Sequence, residues 1–314
     1  MHVYLARRLL LVIPTLIGVS IIVFMLVRFL PGDAVTMLLQ EYNYGKDADE
    51  LRAKLGLDRP IYVQYFEWVG GIVRGDLGTS LRSNGPVAAE LVNRMPVTAE
   101  LGVIAMVVGL AIALPVGIIA AVRQDTWSDY LGRSVAIGLL AIPGFWLATL
   151  VITLPSVWWG WTPPLRYTRL LDDPIKNLGH VVIPAIILGL ALSGTLMRLT
   201  RAQMLEVLRQ DFVRTASAKG LAERAVVVRH ALKNAFIPVL TLLGLQVSIL
   251  VGGTVVLESV FVLPGMGRYL LEAVQYRDYP VIQALNLIFA TVIVLANLIV
   301  DLLYGWLDPR VRYQ

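Results

Sequence analysis

Residues 209–238 read RQDFVRTASAKGLAERAVVVRHALKNAFIP, and this stretch separates two long apolar runs of the chain. It carries six Lys or Arg residues against two acidic ones, and a single glycine, Gly220, interrupts an otherwise helix-prone composition. A basic segment between two apolar runs is typical of a loop that joins two membrane spans. The stretch therefore predicts an all-α polytopic membrane protein.

The composition supports this class and excludes several others. Of the 314 residues, 57% are hydrophobic and 16% are charged, and the mean hydropathy is +0.71, whereas soluble domains are about one quarter charged. The absence of cysteine excludes disulfides and thiolate metal sites. The three histidines are far apart in sequence, so we expect no metal centre. The net charge of +5 fits loop charge on a membrane protein better than nucleic-acid binding.

Six apolar segments are long enough to cross a bilayer, which requires about 20 helical residues. The first follows Arg7 and Arg8; it is too long for a cleaved signal peptide, and no small-residue cleavage site follows it. The third contains Pro143 and Pro155 and ends in an aromatic cluster at 158–161, typical of an interface anchor. The predicted spans are residues 9–30, 98–121, 134–161, 180–200, 236–258 and 281–304.

The distribution of charge indicates the orientation of these spans. Six spans place both termini on one side. The loops of that side carry fourteen of the 27 Lys and Arg and seven of the 22 Asp and Glu, a net charge of +7, against −2 on the other side. Because short cytoplasmic loops are enriched in Lys and Arg, both termini are predicted to be cytoplasmic.

The long segment between the first two spans, 31–97, is predicted to be extracytoplasmic and helical. Helix-starting residues precede three stretches, 47–56, 60–73 and 86–95. The predicted organisation is therefore a first span with a helical insertion (1–97), a domain of five spans (98–305) and a cytoplasmic tail (306–314).

Residues 201–235, which include most of the basic stretch 209–238, are predicted to form two helices joined at a bend. The fourth span is predicted to continue to residue 219, and Gly220 ends it, because glycine adopts positive φ readily and weakens a helix by about 1 kcal/mol. A second, amphipathic helix is predicted to follow. The apolar stripes are Leu205, Leu208, Phe212 and Thr215 in the first helix, and Ala225, Val228, Leu232 and Ala235 in the second.

The residues leave two interpretations of this loop open. A basic loop can lie on anionic lipid headgroups. A rigid helix-bend-helix can instead dock a soluble partner and transmit its movement to the two spans that it joins.

Four stretches of the chain, in order, carry a family resemblance. Three are GDLGTSLRSNGPV (75–87), RMPVTAELG (94–102) and VVLESVFVLPGMGRYLLEAVQYRDYPVIQ (255–283), and the fourth is DFVRTASAKGL…RHALKNAFIP. They resemble permeases of ATP-binding cassette (ABC) importers, in the dipeptide, oligopeptide and nickel branch. The signature loop of such permeases reads E-A-A-x-x-x-G, then I-x-L-P nine residues later. Arg214-Thr215-Ala216, Gly220 and His230-Ala231-Leu232-Lys233 take these places, with departures at Arg214 and Lys233.

The resemblance implies a type I importer permease with six transmembrane helices in the cell inner membrane, working by alternating access. It implies a second homologous permease subunit, two cytoplasmic ATP-binding subunits that hold ATP and Mg, and an extracytoplasmic substrate-binding protein. The chain itself is expected to bind no cofactor, metal or nucleic acid, and it contains no G-x-x-x-x-G-K-[ST] phosphate loop. The implied ATPase-coupling residues are Arg214, Thr215, Ala216, Lys219, Gly220, Leu221, Glu223, Arg224 and His230.

Polar and flexible residues in and between the spans are candidates for the pathway, because a charge at the bilayer centre costs about 2.5–3.5 kcal/mol. Glu258 is interpreted either as a gate or contact for a peptide amino group, or as an interfacial cap. Pro264 and Gly265 form either an external cap over the pathway or a plain turn. Ser193 and Asn286 either line the passage or join helices.

Rival function classes make different demands on the sequence. An ion-coupled secondary transporter predicts inverted repeats with broken helices, and a membrane enzyme needs a nucleophile–base set or an H-E-x-x-H pair, neither of which occurs. The expected function is an importer of di- or oligopeptides. Nickel, glutathione and haem are alternative substrates of the same branch.

Overall fold

The structure, a computed structural model, describes residues 2–29, 58–164 and 166–307. Regular structure in these ranges is helical, apart from one isolated bridge between Thr79 and Pro86. The predicted helix at 47–56 and most of the predicted tail lie outside the described residues. The helices are α1 (His2–Phe29), α2 (Ile61–Val73), α3 (Val87–Val122), α4 (Trp127–Ala141), α5 (Gly144–Trp159), α6 (Pro174–Leu208), α7 (Asp211–Ala218), α8 (Glu223–Val260), α9 (Met266–Gln275) and α10 (Tyr279–Leu307).

By length and composition, the described residues provide five or six membrane spans. Helices α1, α3, α6, α8 and α10 are each long and apolar enough to cross a bilayer, and α4 with α5 can form a sixth, bent span. This agrees with the predicted all-helical, six-span class. One boundary was wrong: residues 86–95 do not form a separate short helix, because α3 begins at Val87 and continues unbroken to Val122.

The bend between α4 and α5 has a local cause in Pro143. Its ring disfavours helical backbone at the preceding residue, and it has no N–H to continue the helix. Ile142 is accordingly extended, with φ −89° and ψ 117°, and α5 starts directly after the proline. The two helices meet at 88°. The third span, predicted as one irregular segment over 134–161, is therefore two helices.

The described chain divides into two compact units. The larger unit contains Thr98–Leu263 and residues 296–307, and the smaller unit contains residues 2–29, 58–97 and Pro264–Leu295. The domain division predicted from the sequence, with a boundary after residue 97, stays a prediction.

Helix α6 forms the core of the larger unit because its glycines allow neighbouring backbones to approach. A methyl group on Gly189 would lie 2.7 Å from the carbonyl oxygen of Ala105 in α3. On Gly194 it would lie 2.9 Å from the carbonyl oxygen of Ala136 in α4. Small residues at helix contacts are typical of membrane bundles, where close van der Waals packing drives association. Helices α3, α4 and α6 are thus held in direct backbone contact.

In the smaller unit, one buried carboxylate joins two distant parts of the chain. Asp278 is 3% exposed and accepts hydrogen bonds from Ser80 Oγ (2.5 Å) and from the N–H groups of Leu81 (3.1 Å) and Arg82 (3.4 Å). Two of the stretches that carry the family resemblance, 75–87 and 255–283, therefore meet at Asp278.

Helix α2 confirms the prediction for 60–73, and it packs on the end of α1. Phe24, which is 1% exposed, contacts the ring of Tyr65 edge-on at 5.2 Å and lies 5.6 Å from the ring of Trp68. The guanidinium of Arg28 lies 3.5 Å above the Phe24 ring and donates to Gln64. Side chains of α1 and α2 therefore hold the Arg28 guanidinium at the end of the first span.

The α3–α6 contact predicts that alanine substitutions at two glycines of α6 differ in their effect on protein stability. Replacing Gly189 by alanine forces the α3 and α6 backbones apart, and we expect a loss of about 1–3 kcal/mol, the usual cost of overpacking. Gly179→Ala is the matched control, because the added methyl group there meets no atom within 4 Å. Thermal unfolding of the purified protein in detergent measures both variants; equal unfolding temperatures would contradict the close contact.

Candidate functional site

The basic stretch at residues 209–238 forms a hinged pair of helices, α7 and the start of α8. Helix α6 ends at Leu208, and α7 follows from Asp211 to Ala218. Gly220 has φ +80°, a backbone conformation that L side chains rarely adopt, and α8 begins at Glu223. The predicted bend at Gly220 is confirmed. The predicted continuation of the fourth span to residue 219 was wrong, because the chain already breaks at Arg209 and Gln210.

Helix α8 contains a π-helical segment next to this bend. One α-turn, Glu223–Ala225, leads into π-helix over Val226–Ala231, and α-helix continues from Leu232 to Val260. A π-turn closes on i→i+5 hydrogen bonds and holds about one residue more than an α-turn, so it changes which residues share a face.

The inner face of the hinged pair packs on the ends of α3 and α6. The two predicted stripes are confirmed in part, because Ala235 belongs to the buried cluster of this face and Leu205, Leu208 and Leu232 pack against it. In α7 the buried side chains are those of Val213 and Ala216, whereas Phe212 is exposed. In α8 the buried side chains next to the bend are those of Val226, Val227 and Ala231, whereas Val228 is exposed. The buried cluster consists of Ala121, Met204, Val207, Val213, Ala216, Val226, Val227, Ala231 and Ala235.

The outer face of the hinged pair brings together most of the residues that the resemblance implied for coupling. Ala216 is buried in the cluster and His230 is half-buried. Exposed apolar side chains lie among basic ones: Phe212 is 41% exposed, Leu221 42% and Val228 53%. The other exposed residues of the implied coupling set are Arg214, Thr215, Lys219, Gly220, Glu223 and Arg224.

A buried ion pair links α6, just before the hinge, to α4. Asp129 has no exposed surface and accepts two hydrogen bonds from the Arg201 guanidinium, from Nε at 2.6 Å and from Nη2 at 2.7 Å. The backbone N–H of Asp125 donates to the same carboxylate at 3.0 Å, and Arg133 Nε lies 3.4 Å from it. A bidentate pair of this kind fixes both the distance and the orientation of the two helices.

Arg133 and Arg201 are among the fourteen Lys and Arg counted for the predicted cytoplasmic side, and Asp129 was not singled out from the sequence. The spacing of Asp129 and Arg133, four residues apart on one helix, was a visible signal of an ion pair. The Arg201 partner, 72 residues away, left no such signal in the sequence.

The residues predicted for a pathway belong to both units, and each has its own hydrogen-bond partner or turn within its unit. Glu258 belongs to the larger unit, is fully buried, and accepts a hydrogen bond from Thr98 Oγ1 at 2.7 Å. Ser193, also in the larger unit, is buried and donates to the Leu190 carbonyl at 2.7 Å. Asn286, in the smaller unit, donates to the carbonyl of Ile282 at 2.8 Å. Pro264 and Gly265 form the turn that leads into α9.

Comparison with known sequences covers the whole chain. Residues 113–313 match the family described as binding-protein-dependent transport system inner membrane component, and residues 1–102 match the family of its N-terminal region. The chain is 41% identical over 335 aligned positions to the dipeptide transport system permease protein DppB of Escherichia coli (strain K12), with 99% of each chain covered. It is 40% identical to DppB of Alkalihalophilus pseudofirmus, with 100% of each covered. It is also 40% identical to the glutathione transport system permease protein GsiC of Escherichia coli O6:H1, with 99% of each covered.

The Asp129–Arg201 pair predicts strong energetic coupling between these two positions. Asp129→Asn leaves the Arg201 guanidinium without a charged partner, and we expect a loss of about 3 kcal/mol of stability, as for other broken buried pairs. The double variant Asp129→Asn, Arg201→Gln should lose less than the sum of the two single losses. Asp211→Asn, in the exposed pair with Arg214, is the control and should change stability by less than about 1 kcal/mol. Thermal unfolding in detergent gives all four values, and strict additivity would contradict the coupling.

Proposed function

The chain belongs to the family of binding-protein-dependent transport system inner membrane components, and we propose that it carries small peptides across the inner membrane as the permease subunit of an ATP-driven importer. It is a multi-pass membrane protein and a permease component rather than an enzyme. The observation that carries the peptide assignment is the full-length similarity to dipeptide permeases, at 40–41% identity.

In this proposal the outer face of the hinged pair docks the ATP-binding subunits. Exposed apolar side chains at Phe212, Leu221 and Val228 alternate along the chain with exposed basic residues, and a combination of apolar and charged groups suits a protein interface. The buried inner face favours docking over a loop that only lies on lipid, because a headgroup-bound loop needs no packed inner face. A partner that pushes on α7 therefore pushes on the ends of α3, α6 and α8.

The Asp129–Arg201 pair carries this movement further into the larger unit. Since Arg201 lies on α6 and Asp129 on α4, displacement of α6 moves α4 with it. ATP supplies the bias between inward- and outward-facing states by binding them with different affinity. Glu258, Ser193, Asn286, Pro264 and Gly265 remain candidates for the gate or pathway in this mechanism.

The proposed importer contains four further components. They are a second permease subunit, two cytoplasmic ATP-binding subunits that hold ATP and Mg, and an extracytoplasmic protein that delivers the peptide. In this proposal the chain described here binds neither nucleotide nor metal.

Glutathione is a second candidate substrate, because GsiC, at 40% identity, is as similar to this chain as the dipeptide permease of Alkalihalophilus pseudofirmus is. None of the relatives compared above is named for nickel or haem. An ion-coupled mechanism is not favoured, since the family is named for dependence on a binding protein.

The proposed orientation predicts opposite accessibility for two introduced cysteines, with both chain termini in the cytoplasm. Ser83 and Ala222 are both exposed, and the native chain contains no cysteine that would interfere. In intact cells, a membrane-impermeant maleimide should label Ser83→Cys and should label Ala222→Cys only after permeabilisation. The reverse pattern would place the hinged pair outside the cell and exclude its docking to cytoplasmic subunits.

The hinge predicts a defect in coupling when Gly220 is replaced by proline. Proline cannot adopt φ +80° and cannot donate the bond that Gly220 N–H makes to the Ser217 carbonyl. We expect the protein to insert, with the ratio of peptide uptake to ATP hydrolysis reduced roughly tenfold or more, since this hinge orders the docking surface.

Gly160→Pro is the matched control for this experiment. Gly160 also has positive φ (+64°), also donates its N–H within a helix end, and also has open space where a side chain would be. It should lose comparable stability while keeping the uptake-to-hydrolysis ratio of the unmodified protein. Normal coupling in Gly220→Pro would rule out the hinge as the transmitting element.

A further inference from the structure

A polar cluster in the larger unit, distinct from the hinge, contains three buried polar atoms that no described residue pairs with. Two are oxygen acceptors, and the third is an imidazole nitrogen that accepts when His180 carries its proton on Nε2. The cluster joins Glu100 of α3, Tyr167 of the α5–α6 loop, and Asn177 and His180 of α6. Asn177 is fully buried and His180 is 7% exposed. Glu100 Oε1, Asn177 Oδ1 and His180 Nδ1 find no hydrogen-bond partner among the described residues.

The hydrogen bonds of the cluster fix the orientation of these groups. Asn177 Nδ2 lies 3.1 Å from Glu100 Oε2 and 3.0 Å from the Thr168 carbonyl oxygen. The Thr168 carbonyl oxygen is an acceptor, and so is Glu100 Oε2 in the ionised carboxylate. The NH₂ group of Asn177, and not its carbonyl oxygen, must therefore face them. The Asn177 carbonyl oxygen is then turned away from them.

Tyr167 supports the same arrangement from the loop. Its hydroxyl donates to Glu100 Oε2 at 3.1 Å, and its ring stacks on the His180 imidazole with centroids 6.1 Å apart. Burial, and after it the charge of Glu100, raises the pKa of Tyr167 to about 12. The hydroxyl therefore keeps its proton at neutral pH and remains a donor to Glu100.

Glu100 Oε1, Asn177 Oδ1 and, in the Nε2–H tautomer of His180, Nδ1 call for a hydrogen-bond donor other than the described residues. Leaving each buried polar atom unpaired costs about 1–3 kcal/mol, and native proteins leave few such atoms. A primary ammonium group has three N–H donors and a positive charge, which matches three acceptors that include one carboxylate. Zinc sites usually supply four ligands and calcium sites six to eight, so this set is small for either metal. A single water molecule, with two protons to donate, satisfies at most two of the three acceptors.

We propose that Glu100, Asn177 and His180 form a subsite for the primary ammonium group of the transported peptide. The inference rests on the proposed function, and it names the part of the substrate that the membrane subunit itself recognises. Dipeptides, tripeptides and glutathione, the substrates in the relatives' names, all carry a free α-ammonium group. Asn177 and His180 lie in the first two turns of α6, far along the chain from the hinge end of that helix. In the proposed orientation, this is the extracytoplasmic end.

Direct binding tests the subsite independently of the binding protein. The full-length chain, purified in mild detergent with its co-purifying subunits, is titrated calorimetrically with Ala-Ala and with N-acetyl-Ala-Ala. We expect saturable binding of Ala-Ala and none of the acetylated peptide, which lacks the ammonium group. Glu100→Gln should weaken binding of Ala-Ala roughly tenfold, because a charge-assisted bond is lost.

Two further variants keep the test decisive. His180→Phe retains a ring against Tyr167 but removes Nδ1, and it should weaken binding roughly fivefold through loss of one hydrogen bond. Glu67→Gln, in an exposed pair with Arg59, is the control and should bind as the unmodified protein does. Equal binding of the two peptides, unchanged affinity in both cluster variants, or no binding of Ala-Ala would overturn the subsite. So would a structure with Ala-Ala in which only magnesium or water contacts the three acceptors.

Uptake by cells separates this inference from the proposed function. If cells that express the complete importer take up no peptide, the proposed function fails. If they take up Ala-Ala, but Glu100→Gln and His180→Phe leave the titrated affinity unchanged, only the subsite fails.

Discussion

A backbone that crosses lipid must satisfy its own hydrogen bonds, and this constraint governs where the chain can bend. Within the spans, regular helix meets the requirement for up to 36 consecutive residues, as in α3. Departures from α-helix coincide with residues that supply a local solution. Pro143 has no N–H to leave unpaired, and Gly160 closes the end of α5 with bonds to the Pro155 and Ser156 carbonyls. The π-segment of α8 changes the bonding pattern without interrupting it.

Helix α6 is the element on which the proposed functions converge. Its first two turns carry Asn177 and His180, its middle carries Gly189 in close contact with α3, and its last turns carry Arg201 and the side chains beneath the hinge. Thirty-five residues of helix span about 52 Å. One continuous helix thus connects the proposed ammonium subsite to the proposed docking surface. Motion of the hinged pair therefore has a direct route to the residues that would hold the substrate.

The sequence predicted what depends on local pattern. Apolar runs located the spans, and Gly220 located the bend, because both signals lie within a few neighbouring residues. It predicted the buried faces of α7 and α8 only in part, because the break at Arg209 and Gln210 interrupts the helical register before α7, and the π-segment of α8 has no recognisable composition. It missed Asp129–Arg201 and Asp278–Ser80 for a different reason. The residues of the first pair are 72 positions apart and those of the second are 198 apart, and only packing of the folded chain brings them together. The acceptors of Glu100, Asn177 and His180 were invisible in the same way.

The π-segment also affects how this protein should be aligned with its relatives. One additional residue in a helix rotates everything beyond it by about 100°. A relative with ordinary α-helix at this point would need one residue fewer between Glu223 and Leu232 to present the same side chains to the same neighbours. Such a deletion would fall inside a continuous helix rather than in a loop. Column-by-column comparison across residues 226–231 would then pair inward-facing positions with outward-facing ones unless a single gap is placed there.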